Sequence, residues 1–217
     1  MNSKTPLSSQ LVAKATPNLS HLLLDNSSIY WLQSQPENKG RIALMEYLEG
    51  HVEEVLEESF SVRTRIHEYG GGAYTVRHQT IVFCNEHNQA LYLKKPNHAP
   101  IPITPVDAGY RYADMQISPD GKWLICIRES DAEDNKNSTE LVSIDLQKPF
   151  HLQILHSGHD FYAAPRINAD GKKLCWLSWD HPHMPWDQSR LSIADITASG
   201  RLQAIIDLEY PDSSFLQ

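Results

Sequence analysis

The string Arg63-Thr64-Arg65-Ile66-His67-Glu68-Tyr69-Gly70-Gly71-Gly72-Ala73-Tyr74 sets two guanidinium groups, an imidazole, a carboxylate and a phenol ahead of three consecutive glycines. A glycine triplet binds phosphate when a helix follows it, because the helix start aims N–H groups at the anion. Here the following residues, Ala73 to Val76, read as a strand, so phosphate binding is rejected. Beside a strand, Gly70, Gly71 and Gly72 instead permit close backbone approach and positive φ. A second group lies in Trp179-Asp180-His181-Pro182-His183-Met184-Pro185-Trp186-Asp187, where His181, His183 and Asp187 invite a metal reading. No third ligand falls at a clear zinc spacing, so a Trp-anchored loop between strands is preferred, with Trp176, Trp179 and Trp186 expected to pack between repeat units. His156-Ser157-Gly158-His159-Asp160 brings serine, histidine and aspartate together only in sequence, and a triad is defined by geometry. Cys84, Cys126 and Cys175 each sit in an apolar run without CxxC spacing, which predicts buried thiols rather than a disulfide framework or zinc site.

The elements that must carry these groups show themselves as a repeat. Asp120-Gly121-Lys122 and Asp170-Gly171-Lys172 lie 50 residues apart. At the same offset Tyr112 falls on Tyr162, Ile117 on Ile167, Leu124 on Leu174, Leu141 on Leu191 and Asp145 on Asp195. Each unit reads as an aromatic-led strand, an Asp-Gly turn, an apolar strand, a polar loop and a further strand. Asp-Gly between apolar runs signals a hairpin, since Gly supplies the φ that joins two twisted strands. Two weaker copies precede these, and about four units of 40 to 50 residues with several short strands each are the signature of propeller blades. Helical repeats are disfavoured by the β-branched and aromatic residues and by the frequent Asn, Asp, Gly and Pro. The expected order is a leader at 1–19, then blades at about 20–60, 61–106, 107–156 and 157–210. Residues 129–139 are expected to form a solvated hairpin loop, and Ser214 to Gln217 to begin a strand of a fifth unit.

Composition narrows the partners. Nineteen basic against 27 acidic residues give a net charge of −8, which opposes phosphate backbones, and nucleic acid is not expected. No apolar run has the length of a signal peptide core or a membrane span, so a cytoplasmic protein without membrane contact is expected.

RTRIHEYGGGAY, RYADMQISPDGK, GHDFYAAPRINADGKKLCWLSWDHPHMPWD and IYWLQSQPENKGR together resemble the propeller of the prolyl oligopeptidases, in the dipeptidyl aminopeptidase and acylaminoacyl-peptidase branch. The resemblance runs from about Leu7 through nearly the whole chain. It implies an all-β chain, a partial propeller of about four blades cut at the start of a fifth, belonging to a cap of about seven blades over an α/β-hydrolase domain. Chemistry in this family is serine-type hydrolysis of short peptides or acyl-peptides from a G-x-S-x-G elbow, and no such pentapeptide occurs in residues 1–217. The implied role is substrate gating without catalytic residues of its own; the hydrolase domain is expected to be absent, and no cofactor or metal is expected. The alternative is a free-standing module that binds a ligand or protein.

Relatives bind a peptide's free amine through propeller carboxylates, which makes His67, Glu68 and Tyr69 the candidates for substrate contact. Pairing of Glu68 with Arg63 or Arg65 is the preferred structural reading. Two departures stand out: Gln33 and Gln35 replace an expected Glu and Arg, which weakens an ion pair, and Gln188-Ser189-Arg190 replaces Gly-Thr-Glu and adds positive charge to a blade loop. Uncovered outer blades predict self-association.

Overall fold

A computed structural model describes residues 16–130, 138–197, 199–208 and 214–215. The chain divides into two compact units, 1–61 and 62–217. Both are built from four-stranded antiparallel sheets in which each strand pairs with the next, and these sheets are blades of a partial β-propeller. Among the described residues no helix is long and apolar enough to cross a membrane.

The first unit holds one sheet, formed by β1 (Leu19–Asp25), β2 (Ser28–Gln35), β3 (Arg41–Leu48) and β4 (His51–Glu54). Leu19 already belongs to a strand, so the sheet begins inside the expected leader, whose residues 1–15 lie outside the described ones. Arg41 is the buried hub of this unit. It pairs with Glu54, donates to Gln35 Oε1 at 2.9 Å and also reaches the Phe60 carbonyl at 2.7 Å. Gln35 also bridges the Arg41–Glu54 pair, because its amide nitrogen donates to Glu54 at 3.2 Å. Gln33 accepts from the Trp31 indole at 3.3 Å.

The second unit holds three sheets. They are β5 (Tyr74–Arg77), β6 (Thr80–Cys84), β7 (Leu91–Lys94) and β8 (Ile101–Pro102); β9 (Tyr110–Ile117), β10 (Trp123–Ser130), β11 (Ser138–Asp145) and β12 (Leu152–His156); and β13 (Phe161–Ile167), β14 (Lys173–Trp179), β15 (Arg190–Ile196) and β16 (Leu202–Leu208). The loop expected at 129–139 is shorter, since β10 runs to Ser130 and β11 starts at Ser138, with 131–137 outside the described residues. Ser214 and Phe215 are described and lie in no strand.

Strand β10 shows why these sheets stack face to face. Its side chains alternate sides. Leu124 and Cys126 enter a core with Val82, Cys84, Leu91 and Ile103 of the preceding sheet. Ile125 and Ile127 enter a second core with Tyr162, Leu174 and Trp176 of the following sheet. Both faces are thus dry, and the run Leu124-Ile125-Cys126-Ile127 has no polar alternation because neither side meets water. Cys84 and Cys126 are buried and Cys175 half-buried, all unpaired. Burial pushes the Cys84 thiol up to about 12.

The repeat holds atom by atom at the turns. Gly121 N–H donates to the Ser118 carbonyl at 2.9 Å, and Gly171 N–H to the Asn168 carbonyl at 3.0 Å. Both glycines have positive φ, 71° and 74°. Ser118 Oγ accepts from Trp123 N–H and Asn168 Oδ1 from Lys173 N–H, both at 2.9 Å, while Asp120 and Asp170 each accept from a lysine N–H two residues on. In each sheet this hairpin joins the first strand to the second, with Leu124 opposite Ile117 and Leu174 opposite Ile167.

Candidate functional site

Antiparallel pairing sorts the second unit's loops between two ends. The Asp-Gly turns occupy one end. The segments after β10, before β13 and after β14 occupy the other, because Ser130 lies opposite both Tyr110 and Ser138, and Phe161 lies opposite Trp179. Chemistry-bearing side chains gather at this second end.

His67, Glu68 and Tyr69 meet there. His67 and Glu68 both adopt positive φ, 52° and 64°, and the Ile66 carbonyl accepts from Gly70 N–H at 2.9 Å, so the chain turns tightly before the glycines. The turn is fastened from the neighbouring sheet, where Glu129 Oε2 accepts the His67 N–H at 2.9 Å. Arg111 stands between two carboxylates, 2.5 Å from Glu68 and 3.6 Å from Glu129. Glu68 is therefore ion-paired, but with Arg111 of the next sheet; Arg63 pairs instead with Glu86. Among the described residues, Arg111 thus stands between an outer and an inner carboxylate. Glu129 is 3% exposed and Glu68 79% exposed, so the outer carboxylate meets solvent while the inner one braces the turn.

An aromatic surface adjoins this node. The His67 ring meets Phe161 edge-on at 5.2 Å and Trp179 at 6.2 Å, and Phe161 stacks on Trp179 at 5.3 Å. Tyr69 is 71% exposed and sets its hydroxyl 3.4 Å from His67 Nδ1. Burial holds the His67 pKa below its ordinary 6.5, against the opposing pull of Glu129 and Asp114.

Gly71 and Gly72 close up on the inner strand β9. Asp114 N–H donates to the Gly72 carbonyl at 2.8 Å, and Asp114 Oδ1 accepts the Gly72 N–H at 2.7 Å. A Cβ on Gly72 would lie 3.0 Å from that oxygen, and one on Gly71 would lie 3.0 Å from the Ala113 Cβ. Asp114 Oδ2 accepts the Ala164 N–H at 2.9 Å, so one carboxylate ties three successive inner strands together.

The sequence reading missed Arg111, Asp114 and Glu129. The signal lay in the repeat itself. At the 50-residue offset Arg111 superposes near Phe161 and Glu129 on Trp179, and each is a cross-strand pair: charged in one blade, stacked aromatic in the next. Positions where a repeat abandons its own chemistry mark the site.

Beyond Trp179 lies a pocket of about 160 Å³ lined by His159, Ser178, Trp179, Asp180, His183, Gln188, Ser189 and Arg190. His159 Nδ1 donates to Asp180 at 2.8 Å, and its Nε2 accepts an Arg190 N–H at 2.8 Å, two contacts that together assign the tautomer. Burial, then His159 itself, lowers the pKa of His156, which stacks on His159 at 5.9 Å. His181 Nδ1 lies 3.0 Å from Asp160, whose carboxyl is held down first by the His181 N–H. No group of three or more His, Cys, Asp or Glu could hold a metal among the described residues. Trp176 and Trp179 are buried as expected, but Trp186 is 64% exposed. Its loop is held by backbone bonds instead, with Asp187 and Gln188 N–H donating to the Met184 carbonyl, so Trp186 is not the anchor.

Comparison with solved structures places this arrangement. A puromycin-hydrolysing peptidase of Mycobacterium tuberculosis superposes with a TM-score of 0.85 at 30% identity over 96% of the chain. A puromycin hydrolase superposes at 0.87 with 27% identity over 96%. The chain is similar to the β-propeller part of peptidases of the prolyl oligopeptidase family. It spans about 35% of the length of these two peptidases. TolB from Acinetobacter baumannii, at 14% identity and a TM-score of 0.53 over 91% of this chain and 56% of its own, shares the fold alone. No family model matches the chain, and no curated protein matches it. The Glu68 node, the aromatic surface and the pocket lie at the end of the sheets opposite the Asp-Gly turns.

Proposed function

We propose that the chain is part of the substrate-gating propeller of a cytoplasmic serine-type peptidase of the dipeptidyl aminopeptidase and acylaminoacyl-peptidase branch, hydrolysing short peptides or acyl-peptides, and that the Glu68 node receives a substrate's free amine. The likeness to puromycin-hydrolysing peptidases supports the reaction class. The observation that carries the amine reading is the Glu68 carboxylate, 79% exposed in the turn that also presents the exposed Tyr69 phenol and the His67 ring. An ammonium gains from the exposed carboxylate, and an aromatic side chain gains from the ring wall. His67, its Nδ1 against the Tyr69 hydroxyl, orients that wall.

The test is calorimetric titration of the folded chain with puromycin and with its N-acetyl derivative. The free amine is expected to bind about fivefold tighter than the blocked one, roughly 1 kcal/mol for a partly exposed charge pair, and Glu68→Gln to erase the difference. Equal affinity for both compounds in the wild-type chain overturns the reading.

A further inference from the structure

The pocket beyond Trp179 has features that the amine node does not use. Ser178 is fully buried, lines the pocket, and its Oγ has no hydrogen-bond partner. A buried hydroxyl without a partner is destabilising, and a ligand acceptor in the pocket would relieve it. Asp180 keeps its charge but has both oxygens engaged: Oδ1 accepts the Asp160 N–H at 2.8 Å, and Oδ2 accepts His159 Nδ1–H, so neither is turned to a ligand. His159 in turn holds Arg190 through Nε2, fixing a guanidinium at the wall. A fixed guanidinium and a buried hydroxyl donor together select a planar anion, since guanidinium matches the two oxygens of a carboxylate. A volume of about 160 Å³ admits a group of a few heavy atoms beside the Trp179 ring.

We propose that this pocket binds a small carboxylate, with Arg190 as the charge partner and Ser178 Oγ as the second donor. Two sources share that chemistry: a free short-chain acid, and the terminal carboxylate of a short peptide whose amine sits at Glu68. The second source rests on the function proposed above, and the first does not. Trp179 touches both places, forming one wall of the pocket and packing against His67.

The test follows the intrinsic tryptophan fluorescence of the chain during titration with propionate, propionamide and Gly-Phe. Propionate is expected to saturate at a dissociation constant on the order of 1 mM, and propionamide to leave the signal flat. Arg190→Gln should weaken propionate at least tenfold. Ser178→Ala should weaken it three- to tenfold while leaving the melting temperature unchanged or higher, because the unfilled pocket then no longer buries an unpartnered hydroxyl. Equal responses to propionate and propionamide, or undiminished propionate binding in Ser178→Ala, overturn the proposal even if Arg190→Gln fails to fold. Glu68→Gln separates the two sources. Propionate binding that survives this substitution while Gly-Phe binding falls supports the peptide source; Gly-Phe binding no tighter than propionate, with or without Glu68, supports the free acid and removes the peptide reading alone.

Discussion

The two imidazoles at the functional end are tuned by burial rather than by ion pairing. His67 and His156 both have pKa values below the ordinary 6.5, so the folded chain binds fewer protons at these sites than the unfolded chain. Their contribution to stability is therefore complete above pH 6.5 and is lost as pH falls below it through the folded values. Melting temperature is expected to drop between pH 7.5 and 5.5, and His67→Gln should flatten part of that drop. A variant whose melting temperature falls as steeply as the wild type's would show that His67 carries none of it. Glu68 works differently. Its pairing with Arg111 is solvent-exposed and contributes little to stability, so it can exchange its partner for a ligand at small cost.

At the level of the element, β9 does the positioning. It lies between β5 and β13, supplies Arg111 to the node, and reaches both neighbours through Asp114. Close approach is possible only because Gly72 has no side chain. Gly72→Ala is expected to destabilise the chain by about 1–3 kcal/mol through overpacking against Asp114, read as a lower urea midpoint. Asp114→Asn should cost a similar amount, because an amide offers one acceptor where the carboxylate serves two N–H donors. An unchanged midpoint in either folded variant would contradict the three-strand tie. The Asp-Gly hairpins at the far end lack such cross-links and repeat faithfully.

Among the described residues, several exposed apolar side chains lie on strands at sheet edges. β16 carries Ile205 and Ile206, the latter 60% exposed, and β1 carries Leu19, Leu22 and Leu24 exposed. Unpaired edges with apolar side chains invite association. Light scattering is expected to show a mass that grows with concentration in the micromolar range, and Ile206→Lys to reduce the growth. A monomer that persists at all concentrations would contradict this.

The fold was legible in the sequence because a propeller blade is local: each sheet is a meander of neighbouring strands, and the 50-residue register of Asp-Gly turns, buried tyrosines and leucines follows from hairpin chemistry alone. The role of the glycine triplet was legible for the same reason, since three glycines before a strand mean close approach whatever approaches. What approaches was decided only in three dimensions. Glu68 meets Arg111 across 43 residues, His67 meets Glu129 across 62, and Gly72 meets Asp114 across 42, contacts between blades that no spacing within one blade encodes. Trp186 was misplaced for a related reason: composition places an indole inside, but burial needs a neighbouring surface, and its loop lies at the rim where backbone hydrogen bonds suffice. Sequence set what each blade is; the stacking of blades set which residues of one could act with those of the next.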